Sequence, residues 1–432
     1  MENERKVLAL ALCRAENDGY SNIILNTVLN GNRSLSLSQK SFITTCFYGV
    51  LERRITIDAV LNSILKRKIE KMPIYTASVL RLGAYQILFL NNVPIPAAVD
   101  ECVKLVKGSK YSSSAGMVNA VLRKTANINL NEFLQTSEPY IKFSAEPWIY
   151  YTLAKAYSKS VAEDFFKNAL LPPPIFIKIN TLIPGAYEAV LKEFNEIGAS
   201  IGKADSGDVF YIERAGSVEQ LKSYKSGLFF VQDHSAALVT KALDLKENSD
   251  LLDCCAAPGG KSFSAAIEMK NTGRIVSADL HEHRAGLIKK GALRLKINNI
   301  TAVCRDATVF SDDIGRFDRV LCDVPCSGIG VIRRKPEIKY KKYDECSGLP
   351  DIQLKILSTA AGYLKPGGRL VYSTCTLLKQ ENERVAEQFL KNNPQFTAVQ
   401  LFKSGTETFK TFIPPASIGD GFFIAAFKKS ED

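Results

Sequence analysis

Residues 251–261 read Leu251-Leu252-Asp253-Cys254-Cys255-Ala256-Ala257-Pro258-Gly259-Gly260-Lys261, an apolar strand, a turn of small residues and a helix start. Small residues let the backbone come close to a ligand, and a helix N-terminus offers unpaired N–H groups. The run is not Gly-x-Gly-x-x-Gly, so a dinucleotide site loses its main support. Alone, it reads equally well as a plain strand-to-helix turn. Three acids change that balance. Asp279 ends the next expected strand, 19 residues past Gly260, where an acid meets ribose hydroxyls in nucleotide-binding sheets. Asp306 and Asp323 end the two strands after it. One such acid is readily a helix cap or turn former. Carboxylates closing three successive strands on the ligand side are what an adenosyl ligand needs: acceptors for ribose, for an adenine N–H and for an ammonium group.

Two thiols belong to the same edge. Asp323-Val324-Pro325-Cys326-Ser327-Gly328 follows the fourth expected strand, and Tyr372-Ser373-Thr374-Cys375-Thr376 follows the fifth. A buried structural Cys is the default for either one. Two cysteines at one sheet edge, one of them after an Asp and a Pro, favour thiol chemistry instead. Most of the others (Cys13, Cys46, Cys102, Cys304, Cys322) lie in apolar runs and fit a reducing compartment. Cys254 and Cys255 are adjacent and form no Cys-x-x-Cys clamp, and with three histidines in the chain a metal site is not expected.

The elements that must position these residues come from the last part of the chain. Strand candidates are 251–254, 274–278, 302–305, 319–322, 370–373 and 421–427, with helical patterns after most of them. This alternation predicts a mainly parallel sheet covered on both faces, with ligands beyond the carboxyl ends of its strands. Residues 175–231 alternate strand candidates (175–180, 208–212, 228–231) with a helix near 186–197, an α+β insert placed after the Pro172-Pro173-Pro174 stop. Residues 1–130 carry apolar residues at helical spacing, separated by Asn30-Gly31-Asn32, Met72-Pro73 and Val93-Pro94-Ile95-Pro96; a compact helical bundle is expected. Ser38 is the expected cap of the helix that follows it. The division is thus 1–135 all-helical, 136–234 helical linker and small α+β subdomain, and 235–432 the α/β domain.

With 46% hydrophobic and 23% charged residues the chain has the composition of an ordinary globular protein. It shows no leader and no apolar run of membrane-spanning length, and a cytoplasmic protein without membrane contact is expected. The net charge is +11. Residues 1–130 hold 17 Lys and Arg against 9 Asp and Glu, an excess of +8. Such a surface is either simply well solvated or suited to a polyphosphate partner.

The motifs resemble those of the bacterial 16S ribosomal-RNA cytosine-5 methyltransferases, within the wider Nol1/Nop2/Sun family. The matching residues are Gln232-Asp233 with Ser235-Ala236, the 255–261 turn, Asp323 with Pro325-Cys326-Ser327-Gly328-Ile329-Gly330, Ile332-Arg333-Arg334, Tyr372-Ser373-Thr374-Cys375 with Glu381-Asn382, and Asp420-Gly421-Phe422-Phe423. Arg81–Leu88 and Val118–Arg123 are similar to the antitermination factor NusB. Lys178 stands where the family pattern has Arg. The resemblance implies a Rossmann-like class I methyltransferase domain with a mainly parallel seven-stranded sheet, preceded by the α+β insert and a NusB-like RNA-binding domain. It implies S-adenosylmethionine as methyl donor, held by Cys255-Ala256-Ala257-Pro258-Gly259-Gly260-Lys261, Asp279, Asp306 and Asp323. Cys375 is then the nucleophile that adds to cytosine C6, Cys326 assists release, and Asp323 pairs with the N3–N4 edge of the base. The implied partner is small-subunit ribosomal RNA, free or partly assembled, and the chain is expected to act as a monomer. Three other readings stand beside this one: a non-catalytic RNA-binding assembly factor, against which both cysteines and all three acids argue; a DNA cytosine methyltransferase, whose nucleophile is the Pro-Cys cysteine; and an enzyme acting on transfer RNA.

Overall fold

The computed structural model describes residues 4–16, 21–32, 34–204, 208–213 and 216–431. The chain forms two compact units, one of residues 1–170 with 332–342 and one of residues 171–331 with 343–432.

The first unit is helical. Its opening bundle comprises α1 (Glu4–Ala15), α2 (Ser21–Gly31), α3 (Leu37–Glu52), α4 (Arg54–Ile64), α5 (Ile74–Phe89), α6 (Ile95–Lys107) and α7 (Ala115–Thr125). Further helices run over Leu130–Thr136, Pro139–Lys142, Pro147–Tyr157 and Lys159–Ala169. Every residue of α5 from Thr76 to Gln86 is buried, as befits a helix packed on all sides; α1, α3, α4, α6 and α7 surround it. Gly49 on α3 makes room for Tyr85, whose ring a Cβ there would meet at 2.0 Å. The charge inside the bundle is paired: Arg81 bonds Asp58 at 2.7 Å and Glu16 at 2.9 Å. The cap of α3 is Ser36, not Ser38. Ser36 Oγ accepts from Gln39 N while the Gln39 side chain accepts from Ser36 N, a reciprocal box that starts the helix at Leu37.

Residues 332–342 complete this unit. Lys339 and Tyr340 are buried; Lys339 Nζ donates to the Glu52 carbonyl at 2.6 Å, and the Arg54 guanidinium lies 3.9 Å from the Tyr340 ring centre. Burial pushes the Lys339 ammonium down to about 7, against the opposing pull of Glu52.

The second unit holds two sheets. β1 (Ile175–Ile179), β2 (Ser200–Lys203), β3 (Val209–Glu213) and β4 (Phe229–Val231) form an antiparallel sheet in the order β2-β3-β1-β4. With helices Ala186–Glu196 and Lys222–Lys225 this is a split β-α-β arrangement. Lys178 on β1 is fully buried and pairs with Asp208 at 3.0 Å and Glu268 at 3.3 Å, so it ties the small sheet to the helix Gly260–Glu268.

The large sheet contains β5 (Asp250–Asp253), β6 (Arg274–Asp279), β7 (Ile300–Cys304), β8 (Phe317–Asp323), β9 (Leu364–Thr374), β10 (Phe396–Ala398), β11 (Phe409–Phe412) and β12 (Phe422–Lys429). Its path is β10-β12-β9-β8-β5-β6-β7, and β11 pairs with β12 as an eighth strand. The five strands β9-β8-β5-β6-β7 are parallel, and β12 lies antiparallel to β9. Alternation sorts the core into two layers. Leu251, Ile275, Leu321, Val371 and Ile424 pack toward the helices His234–Ala242, Gly260–Glu268 and Glu282–Arg294. Leu252, Val276, Cys322, Tyr372 and Phe423 pack toward Leu349–Ala361 and Glu383–Asn392. The chain order reverses direction between β5 and β8, the switch point at which such sheets bind ligands. No helix among the described residues is long and apolar enough to cross a membrane.

Candidate active site

The turn after β5 is built for close approach. Gly259 holds φ +110°, and a Cβ there would lie 2.4 Å from the Phe263 ring. The helix Gly260–Glu268 follows at once. A cleft of about 170 Å³ opens at this point, lined by Cys255, Ala256, Ala257, Pro258, Gly260, Lys261 and Asp323, together with Gln232, Asp233, Ala236 and Asp253. Asp279 braces the turn: its carboxylate accepts from Ala257 N at 3.3 Å and pairs with Arg284 at 3.4 Å. Gln232 is a second brace, its Nε2 donating to the Gly260 carbonyl at 3.0 Å and its Oε1 accepting from Ser264 Oγ at 2.6 Å.

Of the acids singled out from the sequence, Asp323 lines the cleft and Asp279 supports its wall. Asp306 does not line it. Its carboxylate accepts from Thr308 N and Thr308 Oγ1, both at 2.8 Å, and these bonds hold it below the usual carboxylate range. Asp306 lies with Leu252, Cys254 and Ala278 in a separate depression. A fourth acid, Asp253, escaped the sequence reading because the expected strand runs through it to Cys254, whereas β5 ends at Asp253. It is fully buried, accepts from Ser262 Oγ at 2.7 Å, and has a second oxygen, Oδ1, that takes no bond among the described residues. Burial, with the nearby charge of Asp323, pushes its carboxyl up to about 7 against the Ser262 bond and Lys261.

Adjacent parallel strands carry the remaining groups. Asp323 ends β8 and stands in register with Ser373 on β9. Its carboxylate accepts from Lys261 Nζ at 2.6 Å and from Ser373 Oγ at 2.7 Å. Burial alone would lower the Lys261 ammonium, but Asp323, Asp253 and Cys375 raise it overall, so it stays a cation. Just beyond, Cys326 Sγ and Cys375 Sγ lie 3.2 Å apart. The Cys326 thiol is held well above its ordinary range, first by its hydrogen bond with Cys375, then by burial and by the charges of Cys375 and Glu381. Burial likewise raises Cys255, a cleft wall rather than a reactive thiol.

The loops bearing the cysteines are locked to the cleft. Gly330 N donates to the Cys375 carbonyl and Gly421 N to the Gly330 carbonyl, both at 2.9 Å; Asp420 N donates to Asp233 Oδ1 at 3.0 Å. A Cβ on Gly330 would lie 2.0 Å from the Gly421 oxygen, so only glycine lets these backbones meet.

Comparison with known proteins gives this arrangement a family. Residues 240–428 match the profile of the 16S rRNA methyltransferase RsmB/F family, and residues 2–127 match the NusB family. A Bacillus subtilis protein named probable ribosomal RNA small subunit methyltransferase B is 35% identical, over 98% of both chains. Ribosomal RNA small subunit methyltransferase B of Vibrio cholerae is 27% identical, over 99% of this chain and 98% of its own. Among solved structures, a methyltransferase homologue from Pyrococcus horikoshii superposes with a TM-score of 0.54 at 26% identity, over 66% of this chain and 99% of its own. NSun6 from the same organism, solved with SFG, does so at 0.60 and 20% identity, over 66% and 99%. A helical NusB-like part, a doubly wound methyltransferase sheet, and end-to-end similarity to the Bacillus subtilis protein place the chain in the RsmB family of 16S ribosomal RNA methyltransferases.

Proposed function

We propose that the protein transfers a methyl group from S-adenosylmethionine to carbon 5 of a cytosine in small-subunit ribosomal RNA, with Cys375 as covalent nucleophile. The observation that carries this reading is the 3.2 Å approach of Cys326 Sγ to Cys375 Sγ, beside an Asp323 carboxylate anchored by Lys261 and Ser373.

The cleft suits the methyl donor. Its turn exposes the N–H end of a helix, and its acids offer acceptors for an ammonium group and for hydroxyls, including the buried, unbonded Asp253 Oδ1. Residues 255–261, Asp279 and Asp323 would hold the cofactor. The cofactor supplies a methyl group on a positively charged sulfur, which any sufficiently nucleophilic carbon can take.

The protein must make cytosine C5 such a carbon. Addition of Cys375 Sγ to C6 forms an S–C bond and converts the ring to an enamine whose electron pair lies on C5. Asp323, held from two sides, pairs with the N3–N4 edge of the base and stabilises charge as the sulfur adds. After C5 is methylated, its proton leaves to a base. The released pair restores the ring double bond, and the C6–S bond breaks to return Cys375. A thiol held protonated, as Cys326 is, is not the base that takes the C5 proton; it suits the donor that protonates the departing Cys375 sulfur rather than the sulfur that attacks.

Exposed cations of the helical unit, among them Lys66, Arg67, Lys68, Lys71, Arg123 and Lys124, support its assignment as the RNA-binding part. Bisulfite sequencing of ribosomal RNA from a deletion strain tests the reaction. One small-subunit cytosine should resist conversion in the parent and convert in the deletion. Identical conversion maps in the two strains would contradict the proposal.

A further inference from the structure

Glu381 and Asn382 lie between β9 and the helix Glu383–Asn392, and both are fully buried. Burying polar side chains is unfavourable unless they are bonded; apart from Glu381 Oε1, which takes no bond among the described residues, the bonds made here converge on the residues flanking the two thiols. Asn382 Oδ1 accepts from Thr374 Oγ1 at 2.6 Å, and its Nδ2 donates to the Thr376 carbonyl at 3.0 Å. One amide therefore spans the residues on either side of Cys375. Glu381 Oε2 accepts from Ser327 N, next to Cys326, at 2.9 Å, and from Gln353 Nε2 at 2.8 Å. Gln353 Nε2 also lies 2.9 Å from the carbonyl of Pro325, on the other side of Cys326. A hydroxyl pair, Ser327 Oγ and Thr376 Oγ1 at 2.7 Å, joins the two loops directly.

We infer that Glu381 and Asn382 are the positioning residues of the two-thiol site, setting the spacing and direction of Cys375 Sγ and Cys326 Sγ; this rests on reading those cysteines as the reacting pair. A single dipeptide addresses both loops, and each of its side chains grips backbone or hydroxyl groups adjacent to a cysteine rather than solvent or cofactor. Closing the core would need only apolar side chains. Fixing two sulfurs that arrive from different strands needs directional bonds, and a reactive group displaced by 1 Å loses about a hundredfold in rate. Glu381 also contributes charge, being among the groups that keep the Cys326 thiol protonated.

The test uses the full-length protein and two readouts. The first is closure of the Cys326–Cys375 disulfide by diamide, which takes up both thiol hydrogens and becomes the hydrazine; peptide mapping identifies the bond without any RNA. The second is turnover on small-subunit ribosomal RNA. Asn382→Ala should slow closure at least about tenfold and lower kcat about ten- to a hundredfold, with the KM for S-adenosylmethionine within about twofold of wild type. Asn382→Asp keeps the acceptor for Thr374 and should fall between the two. Glu381→Gln keeps an acceptor for Ser327 N but removes the charge, so the pH profile of Cys326 alkylation should move to lower pH, which a purely structural role would not produce. If Asn382→Ala does not fold, Thr374→Val, which removes the hydroxyl that donates to Asn382 and accepts from Thr376 N, takes its place. A folded variant closing the disulfide and turning over at wild-type rates would overturn the inference. A wild-type protein that closes the disulfide but methylates no small-subunit RNA would refute the proposed function instead, and the closure rates would still decide the positioning.

Discussion

At the scale of single residues, the site is a set of carboxylates whose surroundings give them different tasks. Asp253 is the clearest case. Its carboxyl is raised to about 7 by burial, so between its ordinary value and pH 7 the folded protein holds a proton that the unfolded chain has lost. Stability contributed by this group is therefore present at low pH and lost as pH rises toward 7. Asp253→Asn, which keeps an acceptor for Ser262 and cannot ionise, should gain stability relative to wild type between pH 5 and pH 8. Thermal melts showing a constant difference across that range would refute the assignment. Asp279 has a different task, bracing the Ala257 turn. Asp279→Ala should leave the fold intact and weaken S-adenosylmethionine binding about ten- to a hundredfold, the worth of a bond to a charged group; unchanged affinity by calorimetry would remove it from the site. Asp279, Asp323, Cys326 and Cys375 were legible in the sequence because each follows a strand at the ligand edge. Asp253 was not, because the expected strand runs on to Cys254, and the grips of Gln232 and Asn382 were not, since they depend on which loops meet across the sheet.

At the scale of elements, periodicity located the buried strands and missed the marginal ones. β5, β6 and β8 are apolar runs ending in polar residues, and the sequence placed each within a few positions; of β9 it placed only the second half, 370–373, since Leu364-Lys365-Pro366-Gly367-Gly368-Arg369 is no apolar run. β2, β10 and β11 were not foreseen: β2 reads Ser200-Ile201-Gly202-Lys203, β10 has three residues and β11 four. Such segments become strands because a partner's edge recruits them, as β12 does for β10 and β11. Lys178 illustrates the same limit. It stands where the family pattern has Arg, and nothing in the sequence signals that it is buried between Asp208 and Glu268. Lys178→Met should destabilise the protein by about 3 kcal/mol, because two partly buried carboxylates lose their counter-charge, and should leave RNA affinity unchanged in a folded protein. Denaturant unfolding near the wild-type midpoint, or a selective loss of RNA binding, would contradict this.

At the scale of the whole molecule, the helical unit is not a detachable appendage of the sequence. Residues 332–342 belong to it, and deleting residues 1–170 would strip the cover from Lys339 and Tyr340. Its contribution to RNA binding is better tested by charge. Replacing Lys66, Arg67, Lys68 and Lys71 together with Gln should weaken ribosomal RNA binding and lower the slope of log affinity against log salt by about three units if all four meet phosphate. Cofactor affinity should not change. An unaltered salt slope would assign these cations to solvation alone.

The central claim is that Cys375 attacks and Cys326 releases, and the covalent protein–RNA complex reads both steps at once. Incubated with S-adenosylmethionine and small-subunit ribosomal RNA, Cys326→Ala should accumulate a slow band on a denaturing gel, methylated and stalled before release. Cys375→Ala and the double variant should show none, because nothing remains to attack. A band formed by Cys375→Ala and absent from Cys326→Ala would reverse the two roles, and full turnover by both variants would contradict the covalent account.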